Sequence, residues 1–250
     1  MGPERPGRNL KLVIQYEGSG FAGSQVQPNA RTVQGELDRA CRTVFGPDIA
    51  LALAGRTDAG VHALGQVAGV KTGARVPTDR VAAALNSVLP EDMAVVDAAE
   101  MPADFHPRYS ARGKVYRYTI LNRDAPSPFL RRYAWHVPGG LDLVAMRAAG
   151  EALVGQHDFT SFCAAQTESE SRERELRRLE WECRDDLWSV TMEASGFLWK
   201  MARTIVGTLV EVGVGRLQPE QMSATLSVRD RRAAGPTAPA HGLCLIRVIY

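Results

Sequence analysis

Long apolar runs are missing from this chain: none approaches the roughly 18 residues that a membrane-spanning helix needs. The opening, MGPERPGRNL, is polar and proline-rich and lacks the apolar centre of a secretory signal, so the chain is expected in the cytoplasm. Cysteine is sparse as well. Cys41, Cys163, Cys183 and Cys244 form no C-x-x-C pair and sit in apolar, helix-like or strand-like contexts, which fits reduced core thiols better than a disulfide framework. The five histidines, His62, His106, His136, His157 and His241, show neither i,i+4 nor H-x-E pairing, so no metal site is expected. In the loop 55–62 the glycine spacing fits neither G-x-x-x-x-G-K nor G-x-G-x-x-G, which argues against a phosphate-cradling loop there. Lysine is rare, four residues against 26 arginines. Arginine suits phosphates and stacked bases because its planar fork donates bidentately, although a coding bias would enrich it equally.

What is present is the composition of an ordinary globular protein: 45% apolar and 23% charged residues over 250 positions, with a net charge of only +2. The charge is uneven. Residues 1–104 carry ten Lys and Arg against twelve Asp and Glu, and the remainder twenty against sixteen, so the positive excess lies in the C-terminal part.

The periodicity predicts a β-α-β-β-α-β order in the first part. Leu10, Leu12, Ile14 and Tyr16 alternate on one face of a strand, and Thr32 caps a helix through Val33, Leu37, Ala40, Cys41, Val44 and Phe45 that stops at Gly46-Pro47. Strands follow at 49–54 and 65–71, then a second helix capped by Thr78 and a strand at 93–99. From about Phe105 a similar order returns with larger insertions: strand 113–121, helix 142–154, a hairpin over 177–194 across Asp185-Asp186, helix 197–212, a short helix opening at Pro219, and a closing strand 243–249. Split units of this kind build antiparallel sheets with helices on one face, so the expected class is α+β, with domains at 1–104 and 105–250.

Three constellations can carry chemistry. In Gly55-Arg56-Thr57-Asp58-Ala59-Gly60-Val61-His62, flanking glycines allow a short acid to be held in a fixed pose above a strand pair. From spacing alone, an Asx turn that merely shapes the connection is the simpler account of Asp58. Residues 108–133 set seven cations against one acid, Asp124, with aromatics between them, and strand alternation puts Lys114, Tyr116, Tyr118 and Ile120 on one face. Basic strands with exposed rings suit unstacked RNA bases, while buried tyrosines with satisfied hydroxyls suit a core. In the helix beginning at Phe197, the stripe Phe197, Met201, Ile205, Leu209 and Val212 leaves Arg203 about 160° from Ile205 at 100° per residue. Such an arginine is either solvated or aimed at a carboxylate that it keeps ionised.

AGRTDAGVHALGQV resembles the signature of the bacterial tRNA pseudouridine synthases that modify the anticodon arm, the TruA family. NLKLVIQYEGSGFAG, TVQGELDRA, DFHPRYSARGKVYRY, GQHDFTSF, FLWKMARTIVGTLVEVG and TAPAHGLCL resemble that family's other blocks in order over nearly the whole chain. The resemblance implies an isomerase that turns uridine into pseudouridine at positions 38, 39 and 40 of the tRNA anticodon stem-loop, with no cofactor and no required metal. It implies two similar α+β halves whose sheets join, an active-site cleft between them, and a homodimer that shares one tRNA. Asp58 matches the catalytic aspartate, a carboxylate that would face C1′ or C6 of the nucleotide, and this reverses the Asx-turn reading. Arg56 matches an arginine that displaces the target nucleotide. Tyr116 matches the active-site tyrosine, Arg203 an arginine paired with the aspartate, and Leu243 an apolar wall of the base pocket. Lys114, Arg117 and Arg174 are candidate RNA contacts, Arg174 equally a structural one. An unperturbed phenol near pKa 10 is a poor base at neutral pH, so a cation would have to assist Tyr116.

Three departures stand out. Ser24 occupies a place where the family usually carries tryptophan, which leaves open a packing or RNA contact of the first glycine loop. The acidic segment Ala164–Leu176 is expected to be mobile or turned away from phosphate, and the chain ends at Tyr250 without the tail some members have. Two other classes fit parts of the pattern: an RNA-binding module without chemistry, and a carboxylate-dependent hydrolase. The hydrolase requires a second acid roughly 5–9 Å from the first, and none is evident in these blocks.

Overall fold

The computed structural model describes residues 7–167 and 169–250; the polar opening Met1–Pro6 and Glu168 of the acidic segment lie outside the described residues. The described chain is α+β and divides into two compact units: one runs to Ala111 and takes in Leu245–Tyr250, the other runs from Arg112 to Cys244.

In the first unit the chain runs β1 (Arg8–Tyr16), α1 (Val33–Phe45), β2 (Ile49–Leu53), β3 (His62–Thr72), α2 (Thr78–Asn86) and β4 (Met93–Met101). β1 lies between β3 and β4 and is antiparallel to both. The expected alternation holds, with Leu10, Leu12 and Ile14 fully buried and Tyr16 nearly so, because a strand sends every second side chain to the same face. β2 pairs with the second half of β3, Leu53 opposite Ala68 and Ile49 opposite Thr72. β3 starts three residues earlier than the expected 65, and its register against β1 slips between Gln66 and Ala63, one residue more than β1 uses from Ile14 to Tyr16. Such a bulge bends a strand and re-aims its end, here the end that receives the Asp58 loop.

α1 forms as its sequence predicts. The Thr32 hydroxyl accepts from the Gly35 N–H, a cap worth about 1 kcal/mol, and Leu37, Ala40 and Cys41 are fully buried. α2 departs from expectation: Pro77 is its N-cap and Thr78 its first helical residue. The Thr78 hydroxyl instead accepts from Arg8 and donates to Glu100, so a tertiary ion-pair cluster takes the group that a local cap would have used.

The second unit runs β5 (Gly113–Asn122), β6 (Trp135–Val137), α3 (Leu143–Glu151), β7 (Gly155–Asp158), β8 (Glu173–Arg184), β9 (Leu187–Ala194), α4 (Met201–Gly213) and α5 (Gln221–Ser227). Its strands lie in the order β5-β9-β8-β7, antiparallel throughout, with β6 added parallel to β5. The β8–β9 hairpin turns at Asp185-Asp186 as expected, with Asp185 at φ 50°. β6 and β7 are new relative to the periodicity. Expected from 197, α4 begins at Met201, because Lys200 takes a left-handed φ of 64° and interrupts any helix arriving from Phe197. α4 is buried on nearly every side, from Met201 and Ala202 through Val212 and Gly213, rather than along one stripe.

The closing strand β10 (Leu243–Ile249) sits beside β3 from Leu245 onward, and Gly65 lies directly against the Ile246 backbone.

Candidate active site

The loop from Ala54 to Val61 joins β2 to β3, and the start of its backbone is fastened to β3 by two bonds. Ala54 N–H donates to the Val67 carbonyl, and the Gln66 side-chain amide donates to the Gly55 carbonyl at 3.0 Å. Thr57 is buried and bonded three ways. Its N–H donates to Ser24 Oγ at 2.8 Å, its carbonyl accepts from the Ser24 N–H at 3.0 Å, and its hydroxyl meets the Tyr16 hydroxyl at 2.8 Å.

Immediately after it, Asp58 opens a turn closed by the Val61 N–H donating to the Asp58 carbonyl at 3.1 Å. Gly60, at φ 80°, is the third residue of that turn, a place that favours glycine because an L side chain is strained there. Gly55, by contrast, needs no left-handed backbone. Asp58 is half-buried, and Arg56 is exposed on the other side of Thr57.

A second loop, residues 17–24, covers this turn. The Gly18 N–H donates to His62 Nδ1 at 2.9 Å, and the Gly18 Cα faces the Val61 carbonyl with no room for a side chain. The covering loop is itself anchored. Gln34 N–H, in the first turn of α1, donates to the Ser24 carbonyl at 2.9 Å, and Arg31 grips Asp92 through two bonds of 2.7 and 2.8 Å and Glu36 through a third of 2.9 Å. The same guanidinium lies over the Phe21 ring, 4.3 Å from its centre. Bonding to Arg31 holds the carboxyls of Asp92 and Glu36 below the usual carboxylate range.

The remaining candidates lie in the second unit. On β5, Tyr116 and Tyr118 are buried on one face and Arg117 is exposed on the other, while Lys114 is half-buried. The two tyrosines differ. Tyr118 is completely buried, donates to the Pro239 carbonyl at 2.8 Å, and has its phenol pushed far up by burial, an effect that the Arg203 charge opposes. It is the core tyrosine. Tyr116 instead sets its ring edge-on to Phe197, with centroids 4.9 Å apart.

Arg203, on the first turn of α4, is half-buried. Its Nε donates to the Ala238 carbonyl at 2.8 Å while its own carbonyl accepts from the Ala238 N–H at 3.1 Å, so the segment before β10 is strapped to the helix at this residue. Leu243, the first residue of β10, is buried behind Gly242, which packs against the Tyr118 ring. Arg174, on β8, donates to the carbonyls of Ser171 and Glu173 and to Ser169 Oγ, and burial lowers its guanidinium pKa. Arg56 and Asp58 are therefore brought together in the first unit, and Tyr116, Arg203 and Leu243 are associated through β5, α4 and β10 in the second. Tyr16, Thr57 and Ser24, which hold the Asp58 loop, carry no sequence signature for that task, since their partners lie 33 to 41 positions away.

No group of three or more His, Cys, Asp or Glu side chains among the described residues is arranged to hold a metal ion.

A model of the family described as tRNA pseudouridine synthase matches residues 12–110 and 149–250, which include the Asp58 loop, α4 and β10. Proteins named tRNA pseudouridine synthase A are similar over nearly the whole chain. That of Moorella thermoacetica is 50% identical over 243 residues, 96% of this chain and 99% of the relative. That of Halalkalibacterium halodurans is 46% identical over 238 residues, covering 94% and 90%, and that of Caldicellulosiruptor bescii 43% identical over 243 residues, covering 97% and 100%.

Proposed function

We propose, for a chain that belongs to the tRNA pseudouridine synthase family and so to a family of isomerases, that it converts uridine to pseudouridine at positions 38, 39 and 40 of the tRNA anticodon stem-loop, with Asp58 as the catalytic carboxylate. The observation that carries this reading is the pose of Asp58. The peptide before it is fixed by Ser24 and the peptide after it by a closed turn, so a half-buried acid is held in one place.

The reaction is an isomerisation, so nothing is gained or lost overall. The N1–C1′ bond breaks, the freed uracil turns while bound, C5 bonds to C1′, the C5 proton leaves, and N1 ends protonated. Breaking the glycosidic bond leaves C1′ electron-poor, and a fixed carboxylate stabilises or traps such a centre as it does in retaining glycosidases. Because C1′ of a stacked nucleotide is shielded, the uridine must leave the stack, and the exposed Arg56 beside Asp58 is the group assigned to displace it.

Tyr116 stacks on the uracil, and its oxygen takes the C5 proton. Arg203 is a substrate-binding residue and Leu243 walls the base. Lys114 and Arg117 serve the phosphates, and Arg174, which donates to Ser171, Glu173 and Ser169, either joins them or braces its own hairpin. Domains at 1–104 and 105–250 form two similar halves that supply the acid and the tyrosine–arginine pair respectively. A homodimer in the cytoplasm places basic strips of two chains along one anticodon arm, which offsets a net charge of only +2 per chain. The chain's own residues supply every role, without a cofactor.

The test is release of tritium from C5-labelled uridine in unmodified tRNA, with wild type beside Asp58→Ala. Release by wild type alone, from the anticodon arm, with tRNA binding retained by the variant, is the expected result. No release by wild type despite binding would leave a non-catalytic RNA-binding module, and free uracil among the products would mean a hydrolase.

A further inference from the structure

We infer that Ser24 is a positioning residue for the isomerisation, acting through Thr57 on the backbone that carries Arg56 and Asp58; the inference rests on the catalytic role proposed for Asp58. Ser24 is 1% exposed and bonds the Thr57 backbone from both sides. Its Oγ accepts from the Thr57 N–H, which belongs to the peptide group leaving Arg56, and its N–H donates to the Thr57 carbonyl, which belongs to the peptide group entering Asp58. One residue thus fixes the planes of two consecutive peptide groups, one attached to each candidate side chain. The next peptide is fixed by the turn at Val61.

The Ser24 hydroxyl is the half of this clamp that depends on a side chain. Removing it leaves the Thr57 N–H buried with its acceptor gone, and the peptide must rotate to find another. Thr57 keeps its hydroxyl contact with Tyr16, and Ser24 keeps its own backbone bonds to Thr57 and to Gln34 of α1, so the loop stays in place while its pose loosens. Displacing a catalytic group by about 1 Å costs on the order of 100-fold in rate, whereas groups that bind the rest of the tRNA are untouched.

The experiment compares Ser24→Thr with Ser24→Val, which add the same bulk and differ in the hydroxyl, together with Ser24→Ala and Asp58→Ala in the full chain. Tritium release is measured at saturating and limiting tRNA, with tRNA affinity and Tm recorded for each variant. Ser24→Val and Ser24→Ala are expected to lose about 10- to 100-fold in kcat per folded molecule, with KM and tRNA affinity within about twofold of wild type; Ser24→Thr is expected to recover to within about threefold. Equal kcat for Ser24→Val and Ser24→Thr overturns the inference. So does a loss confined to Tm with wild-type kcat per folded molecule, which is a merely structural role. Should the bulkier pair fail to fold, Ser24→Ala decides alone, wild-type kcat counting against the inference. Asp58→Ala separates the two claims: if it turns over like wild type, the catalytic reading falls and Ser24's role with it, whereas a silent Asp58→Ala beside a fully active Ser24→Ala removes only the role of Ser24.

Discussion

Gly18 and Val61 touch backbone to backbone: a Cβ on Gly18 would overlap the Val61 carbonyl and stand 3.0 Å from the carbonyl carbon of Gly60. Two loops separated by about forty residues in sequence are stacked here with no side chain between them. The layer below is the turn that carries Asp58, so a change in the covering loop is felt at the acid.

Gly18→Ala is therefore expected to push the two loops apart. Overpacking of this kind costs about 1–3 kcal/mol, and the shift also disturbs the bond from the Gly18 N–H to His62. Thermal unfolding and tritium release together check this. A variant with wild-type Tm and wild-type turnover would show that the close approach has no consequence.

The two tyrosines of β5 are expected to separate stability from turnover. Tyr118→Phe removes a buried hydroxyl that donates to the Pro239 carbonyl, and losing a bond of this kind costs about 1 kcal/mol, while kcat per folded molecule stays within about threefold of wild type. Tyr116→Phe keeps the ring and its edge contact with Phe197, so Tm holds, and the turnover that depends on the phenol oxygen falls. Measuring Tm and kcat on both variants gives opposite patterns; the same pattern for both would contradict the division between core and site.

Much of this arrangement is legible in the sequence, and the rest is hidden for physical reasons. Leu10, Leu12, Ile14 and Tyr16 announce their strand because burial of one face forces a period of two, and Thr32 announces α1 because capping is local. The start of α4 is hidden because Phe197 continues the helical spacing of Met201 and nothing about a lysine signals the left-handed backbone that Lys200 adopts. Thr78 looks like a cap and is not one, because Arg8 and Glu100 engage its hydroxyl from far along the chain. β6 has three residues, too few to show alternation, and β7, GQHD, is too polar to look like a strand. At the site, the glycine of the Asp58 turn can be read from sequence, since Gly60 needs its positive φ. Ser24 cannot: as one sequence position it is only an odd residue in a glycine loop, and its meaning lies in Thr57, 33 positions away.

Cys41 is expected to be inert in the native protein. Burial, reinforced by the nearby Asp38 charge, pushes its thiol up to about 12, and the side chain is completely covered by α1's packing. Alkylation at pH 8 followed by peptide mapping should leave Cys41 unmodified in folded protein and label it after denaturation. Rapid native labelling would mean that α1 opens readily.

The Arg31 cluster predicts how acid affects the loop that covers the site. Asp92 and Glu36 have carboxyls depressed chiefly by hydrogen bonds from Arg31, so both bind protons more weakly in the folded protein than in the unfolded chain. The linked stability is fully present above their unfolded values, near pH 4, and is lost as pH falls through the lower folded values. Arg31→Gln removes the cation and with it the largest cause of the depression at both acids, while Glu36 keeps its bonds from Arg39. The variant is expected to be less stable than wild type at pH 7, and the difference in Tm is expected to narrow as pH falls below about 4 and wild type loses the linked contribution. It does not vanish, because the variant also lacks the Arg31 guanidinium lying over the Phe21 ring, a contact that does not titrate. Tm measured against pH for the two proteins decides the matter: a gap of constant width would mean that Arg31 acts through packing alone.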